Sequence, residues 1–118
     1  MSKVKLIQRI DEETGEKYHH DQYLYWCLGC GYEHAFALNT EGGHHSFNGD
    51  LNNPTISPSL LENRTPERVC HSFIKDGEIQ YLGDCWHELK NQTIELPDID
   101  NLIEERLKKA MAKRQAEQ

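Results

Sequence analysis

Four cysteines are the residues of this sequence best suited to hold a metal ion. Cys27 and Cys30 are separated by two residues and followed by Gly31, which is the form of a zinc knuckle, with two thiolates on a tight turn. Structural zinc is tetrahedral and needs two more ligands. We therefore predict a structural Zn²⁺ site formed by Cys27, Cys30, Cys70 and Cys85.

Other assignments of these residues stay open. His87 follows Cys85 by two residues and would share its face if the strand continues, so it is the alternate ligand. His34 and His71 are weaker candidates. A CxxC pair can also be a redox centre, but the thioredoxin type opens a helix within a βαβ unit, and that pattern is missing here. Four thiolates would form a closed site, which is structural rather than catalytic.

A second group of residues has the types needed for nucleophilic catalysis. His71 and Asp84 fall on one face of the same segment, and a carboxylate that fixes an imidazole is the base half of a nucleophilic triad. The nucleophile would come from the Pro54–Ser59 segment, where Ser57 and Ser59 are candidates and Ser59 is preferred. Serines beside prolines are also common in turns, so the spacing alone does not distinguish a triad from hydrogen-bonded structural residues.

A β-hairpin centred on Asp76-Gly77 must position both groups. Alternating apolar runs flank this pair, and Asp-Gly is a strong hairpin signal because both residues accept positive φ. A two-residue loop pairs Lys75 with Glu78. One face then carries Cys70, Ser72, Ile74, Ile79, Tyr81 and Cys85, and the other carries His71, Phe73, Lys75, Glu78, Gln80, Leu82 and Asp84.

The hairpin register also pairs Cys70 with Gly83. It places the two cysteines and the His-Asp pair on opposite faces. A bulge at Gly83 would rotate Asp84 and Cys85 and exchange their roles.

The remaining sequence predicts a small α+β fold. Alternating apolar segments indicate strands near residues 4–10, 22–27, 32–38, 54–61 and 93–96. Pro58 confines the fourth of them to an edge or a bulge. We predict a mainly antiparallel, zinc-stapled β domain over residues 1–97, followed by a C-terminal amphipathic helix and tail over residues 98–118.

Length and charge restrict the possible partners. A chain of 118 residues, 36% of them hydrophobic, forms a small core that often needs a covalent or metal staple. The net charge of −7 makes nucleic acid a poor partner. Neither a signal peptide nor the run of about 20 apolar residues that crosses a membrane is present. We expect a cytoplasmic protein with a protein substrate or partner, no membrane contact, and cysteines that bind metal rather than form disulfides.

Six short motifs, taken in order, resemble a family of small proteins encoded by phages and bacteria and mostly of unknown function. They are Trp26-Cys-x-Gly-Cys30, Phe47-Asn-Gly-Asp50, Pro54-Thr-x-Ser-Pro-Ser59, Cys70-His-Ser-Phe73, Asp76-Gly-x-Ile79 and Asp84-Cys-x-His87. Some members lie beside bacterial ubiquitin-like conjugation genes and are regarded as serine peptidases that remove the modifier. The resemblance implies that Ser59, His71 or His87, and Asp84 are the catalytic residues.

Two functions fit these observations. The first is a serine peptidase in which Ser59 attacks, His71 accepts its proton and Asp84 orients His71. The second is a non-enzymatic zinc-binding interaction module, such as a phage protein that binds a host factor. A hydroxyl of Ser57 or Ser59 within ~3 Å of an imidazole nitrogen would favour the enzyme. Catalysis by the metal itself would need an open site with a water ligand.

Overall fold

Two antiparallel sheets and one helix make up the computed structural model, which describes residues 2–8, 10–16, 21–63 and 65–116. The first sheet has the order β1-β2-β3, with β1 at Val4–Ile7, β2 at Gln22–Cys27 and β3 at Tyr32–Phe36. The second has the order β4-β5-β6-β7-β8, with β4 at Ser46–Phe47, β5 at Ile56–Asn63, β6 at Val69–Lys75, β7 at Glu78–Tyr81 and β8 at Thr93–Glu95. A 3₁₀ turn spans Asn39–Glu41, and the helix α1 spans Ile99–Ala116. The predicted α+β class is confirmed.

One core joins the two sheets. Its buried side chains include Val4, Tyr25, Phe36, Ile56, Leu60, Ile74, Ile79, Tyr81 and Leu96. The helix adds Ile99 to this buried set, and the Ile99 N–H donates to the Ser2 carbonyl at 2.9 Å. Farther along α1, Leu107 and Met111 are exposed, so only the first part of the predicted apolar stripe packs on the sheets. No helix in the described ranges has the length and apolar character required to cross a membrane.

The predicted hairpin is formed by β6 and β7. Lys75 pairs with Glu78 across a turn in which Asp76 and Gly77 have φ of 50° and 81°. The Leu82 N–H donates to the His71 carbonyl at 2.9 Å, so the predicted register is confirmed to this point. Because side chains alternate along a strand, the buried Cys70 faces the core and His71 faces outward.

The chain leaves the predicted ladder after Leu82. The Cys85 N–H donates to the Leu82 carbonyl at 3.3 Å, which closes a turn, and the Trp86 N–H donates to the Val69 carbonyl at 2.9 Å. The uninterrupted register would have placed Asp84 opposite Val69, so the turn adds two residues to this strand. The predicted pairing of Cys70 with Gly83 is therefore wrong.

This two-residue insertion decides which side chain follows Tyr81 on the core face. A shift of one residue would exchange the faces, but a shift of two preserves them. His87 consequently takes the position predicted for Cys85, and Asp84 lies in the turn itself.

A bulge in β5 presents the serine segment. Ile56 pairs with Ile74 and Leu60 pairs with Ser72, so three residues of β5 lie opposite one residue of β6. Pro58 is in this irregular stretch, where its missing N–H breaks no regular ladder, as predicted for a bulge. Ser59 is the last residue of the bulge, directly before the regular pairing resumes at Leu60.

Candidate functional site

A serine, a histidine and an aspartate from three separate elements are linked by hydrogen bonds. Ser59 Oγ, at the end of the β5 bulge, lies 2.9 Å from His71 Nε2 on β6. His71 Nδ1 lies 3.1 Å from Asp84 Oδ2 in the turn after β7. With the proton on Nδ1, the ring donates to the carboxylate and accepts from the hydroxyl, which is the arrangement of a nucleophilic triad. The three residues preferred from the sequence are thus brought together.

The triad lies at the surface of the sheet. The His71 side chain is 27% exposed and the Asp84 side chain is 55% exposed. Ser59 itself is half-buried, so the three residues form a surface site and not a closed cavity. The surface position also means that water reaches the Asp84 carboxylate.

Ser57, the alternative nucleophile, is exposed and its carbonyl accepts a bond from Ser46 Oγ at 3.3 Å. His87, the alternative base, has its Nε2 directed at cysteine sulfurs and not at a serine. Neither alternative is placed for the proton transfer that Ser59 and His71 can make.

His45 contacts the backbone of Ser59 from the β4 side of β5, opposite to the side of β6. Its Nε2 lies 3.2 Å from the Ser59 carbonyl, and its ring packs edge-on against Phe36 with centroids 6.0 Å apart. This contact is not predicted from the sequence, because a histidine in a polar loop gives no signal of its partners. Its position just before β4, the neighbour of β5, was visible only once the strand pairing was known.

Four potential metal ligands gather beneath the opposite face of the hairpin. The ligand atoms of Cys27, Cys30, Cys70 and His87 all lie within 4.8 Å of one another. Cys27 Sγ is 3.8 Å from Cys70 Sγ, and Cys70 Sγ is 3.4 Å from His87 Nε2. Three of the four residues are buried. This cluster could hold a metal ion.

Cys85 is the predicted ligand that the structure places elsewhere. Its Sγ accepts from the His71 N–H at 3.3 Å and donates to the His71 carbonyl at 3.1 Å. The two-residue insertion in the turn explains this position, because it moves Cys85 against the backbone of β6 and brings His87 to the cluster. Cys85 thereby holds the main chain of the residue whose side chain bonds Ser59.

Hydrogen bonds around the cluster orient its sulfurs. Trp86 Nε1 donates to Cys30 Sγ at 3.4 Å, the Cys30 N–H donates to Cys27 Sγ at 3.3 Å, and Tyr81 Oη lies 3.3 Å from Cys27 Sγ. A hydrogen bond from Cys70 lowers the pKa of Cys27 to about 3, against the effect of burial, while the same contact raises the pKa of Cys70. The contact between Cys27 and Cys70 therefore favours the thiolate, the form that binds metals, at one sulfur of this pair.

Gly29 leaves the space that the His87 ring occupies. A Cβ at position 29 would lie 2.3 Å from His87 Nδ1 and 2.4 Å from Nε2. We predict that Gly29→Ala displaces the ring and lowers metal affinity by about 10- to 100-fold, the range for disturbing the orientation of a ligand. Metal titration followed by elemental analysis measures this effect. Leu28→Ala, at an exposed site of the same turn, is the control, and full affinity in Gly29→Ala would contradict the prediction.

A comparison with protein families places this geometry in context. A family model described as bacterial ubiquitination-like system serine protease (BubE) matches residues 5–82, which include Ser59, His71 and three of the four clustered ligands. No curated protein and no solved structure matches the chain. Since the matched residues make up more than half of the sequence, the chain belongs to the BubE family of bacterial ubiquitination-like system serine proteases.

Proposed function

We propose that this chain is a serine peptidase that removes a ubiquitin-like modifier from the protein to which it is attached. The observation that carries the proposal is the continuous contact from Ser59 Oγ through the His71 ring to the Asp84 carboxylate, with distances of 2.9 and 3.1 Å. The family match supports the same chemistry, since its description is that of a serine protease in a ubiquitination-like system.

The proposed reaction follows from the direction of these contacts. Ser59 Oγ attacks the carbonyl carbon of the scissile bond as its proton passes to His71 Nε2, and Asp84 stabilises the resulting imidazolium through Nδ1–H. The imidazolium then protonates the leaving amine, which leaves an acyl ester on Ser59. A water molecule, deprotonated by His71, hydrolyses this ester and restores the hydroxyl.

We further propose that the cluster holds a structural Zn²⁺. Zinc bonds of ordinary length in a tetrahedron separate two sulfurs by about 3.8 Å, and a sulfur and an imidazole nitrogen by about 3.6 Å. The observed separation of the Cys27 and Cys70 sulfurs is 3.8 Å, and His87 Nε2 lies 4.0 Å from Cys27 Sγ and 3.4 Å from Cys70 Sγ. Four protein ligands leave no position for a water, so the ion would join the knuckle to the hairpin without entering the reaction.

A fluorophosphonate probe tests the proposed nucleophile, because it reacts with serines activated by a neighbouring base. We expect covalent labelling of Ser59, complete loss of labelling in Ser59→Ala, and unchanged labelling in Ser57→Ala, which removes a hydroxyl two residues away. Intact mass and peptide mapping identify the labelled residue. Absence of labelling in a folded, metal-loaded protein would refute the peptidase and leave the interaction module as the better proposal.

A further inference from the structure

Among the described residues, the short neighbour of β5 leaves much of its outer edge open. β5 has eight residues, but β4 pairs only with Ile56 and Ser57 at its beginning. The chain before β4 turns away, because the His45 N–H donates to the Ala37 carbonyl at 3.3 Å and the His45 carbonyl accepts from the Asn39 N–H at 2.8 Å. The second half of β5 is therefore an edge strand.

The backbone of Leu61 faces this open edge. On β6, the His71 carbonyl and N–H bond Leu82 and Cys85 on the β7 side. Directions alternate along an antiparallel strand, so the residues on either side of His71 bond β5, through their partners Leu60 and Glu62. Leu61 lies between those partners, so its N–H and C=O must point away from β6, toward the open edge of the sheet.

This pair of backbone groups is accessible. Within the described part of the chain, no residue bonds the Leu61 N–H or C=O, and the residue is 55% exposed. Leu61 is also directly opposite His71 and two residues from Ser59. The carbonyl of Ser59 is already bonded by His45, so Leu61 offers the first free pair beyond the nucleophile.

We infer that the substrate binds as an extended polypeptide segment that adds a strand to the edge of β5 at Leu61. An added strand lies about 4.8 Å from its neighbour and is held mainly by main-chain hydrogen bonds. The segment would thus lead from Leu61 toward Ser59, where its scissile carbonyl would meet the hydroxyl on the outer face of the sheet. The inference rests on the proposed peptidase function and specifies the form of its substrate.

The side chains on the same face indicate what the segment carries. Leu61 and Phe73 are exposed apolar residues, one opposite His71 and the other two residues along β6 from it. An apolar substrate side chain directed to this face would pack on Leu61 of the adjacent strand, with Phe73 one strand further in. A folded surface without a free strand could not make the main-chain bonds.

Proline at position 61 removes the outward N–H and leaves the ladder with β6 intact. Peptides of a bacterial proteome digest serve as substrates, and the best-cleaved peptide is used for kinetics. We expect Leu61→Pro to raise KM about tenfold, as for the loss of one or two hydrogen bonds, with little change in kcat and in fluorophosphonate labelling. Thr93→Pro is the control, because by the same alternation its N–H faces outward from β8, at the opposite edge of the sheet.

Hydrogen exchange gives a second measurement that does not depend on the folding of a proline variant. In Ser59→Ala, the same peptide should slow exchange of the Leu61 and Asn63 amides at least fivefold and leave the Thr93 amide unchanged. Unchanged KM in a folded Leu61→Pro variant, or unchanged exchange at Leu61, would overturn the inference. So would a protein that the fluorophosphonate labels at Ser59 but that cleaves no peptide, although the peptidase proposal would survive. Failure of the label itself would refute the peptidase.

Discussion

Alanine in place of His71 is expected to lower kcat of peptide hydrolysis by about 10⁴-fold or more, because the hydroxyl of Ser59 then has no base to accept its proton. The structure describes no second base on Ser59 Oγ, whose partner is His71 Nε2 at 2.9 Å. Steady-state kinetics on a cleaved peptide measure the loss. His44→Ala removes an exposed histidine from the neighbouring loop and serves as the control.

Asp84→Asn is expected to lower kcat as well, but by less than His71→Ala. An amide can still contact His71 Nδ1 but no longer stabilises the imidazolium or fixes the tautomer, so kcat should fall by about 10²- to 10⁴-fold. The lower figure of about 10²-fold reflects the 55% exposure of the Asp84 side chain, because water partly replaces the lost carboxylate.

For His71→Ala, activity equal to that of the unchanged protein would exclude His71 as the base.

The hairpin shows how far sequence reasoning extends. The Asp76-Gly77 turn and the alternation of apolar residues were sufficient to place Cys70 inward and His71 outward, because a two-residue loop allows only one register. The predicted pairing is wrong beyond Leu82, where the β6–β7 ladder ends. Nothing in Gly83-Asp84-Cys85 distinguishes a continuing strand from a turn closed by the Cys85 to Leu82 bond, and that bond decides the position of every residue after it.

Irregular stretches of chain also determine the geometry at the serine site, and the sequence does not show how many residues they contain. Ser59 and His71 meet because β5 pairs with β6, and the bulge at Pro58 sets which serine faces the ring. The proline signalled an irregular strand but not the number of extra residues in it. Asp84 reaches His71 from a turn instead of from a strand, so the predicted contact is present for a different geometric reason.

His87→Ala is expected to abolish metal binding, whereas Cys85→Ala should retain one equivalent of metal. The His87 Nε2 lies among the clustered sulfurs, while the Cys85 Sγ bonds the backbone of His71 and is not part of the cluster. Elemental analysis of the purified variants separates the two assignments. Loss of metal from Cys85→Ala with retention in His87→Ala would restore the four-cysteine site expected from the sequence.

Metal removal should also disable the nucleophile, because the two sites share the same strand and turn. Cys70 directly precedes His71, and His87 is three residues from Asp84, so the ion would fix both ends of the contact between His71 and Asp84. Binding of structural zinc is worth about 10 kcal/mol or more in small domains, which is comparable to the whole free energy of unfolding expected of a small domain. A chelator is therefore expected to eliminate the cooperative thermal transition and the fluorophosphonate labelling of Ser59 together, and added Zn²⁺ to restore both. Labelling that persists after complete removal of the metal would show that β5 and β6 hold the serine and histidine together without the cluster.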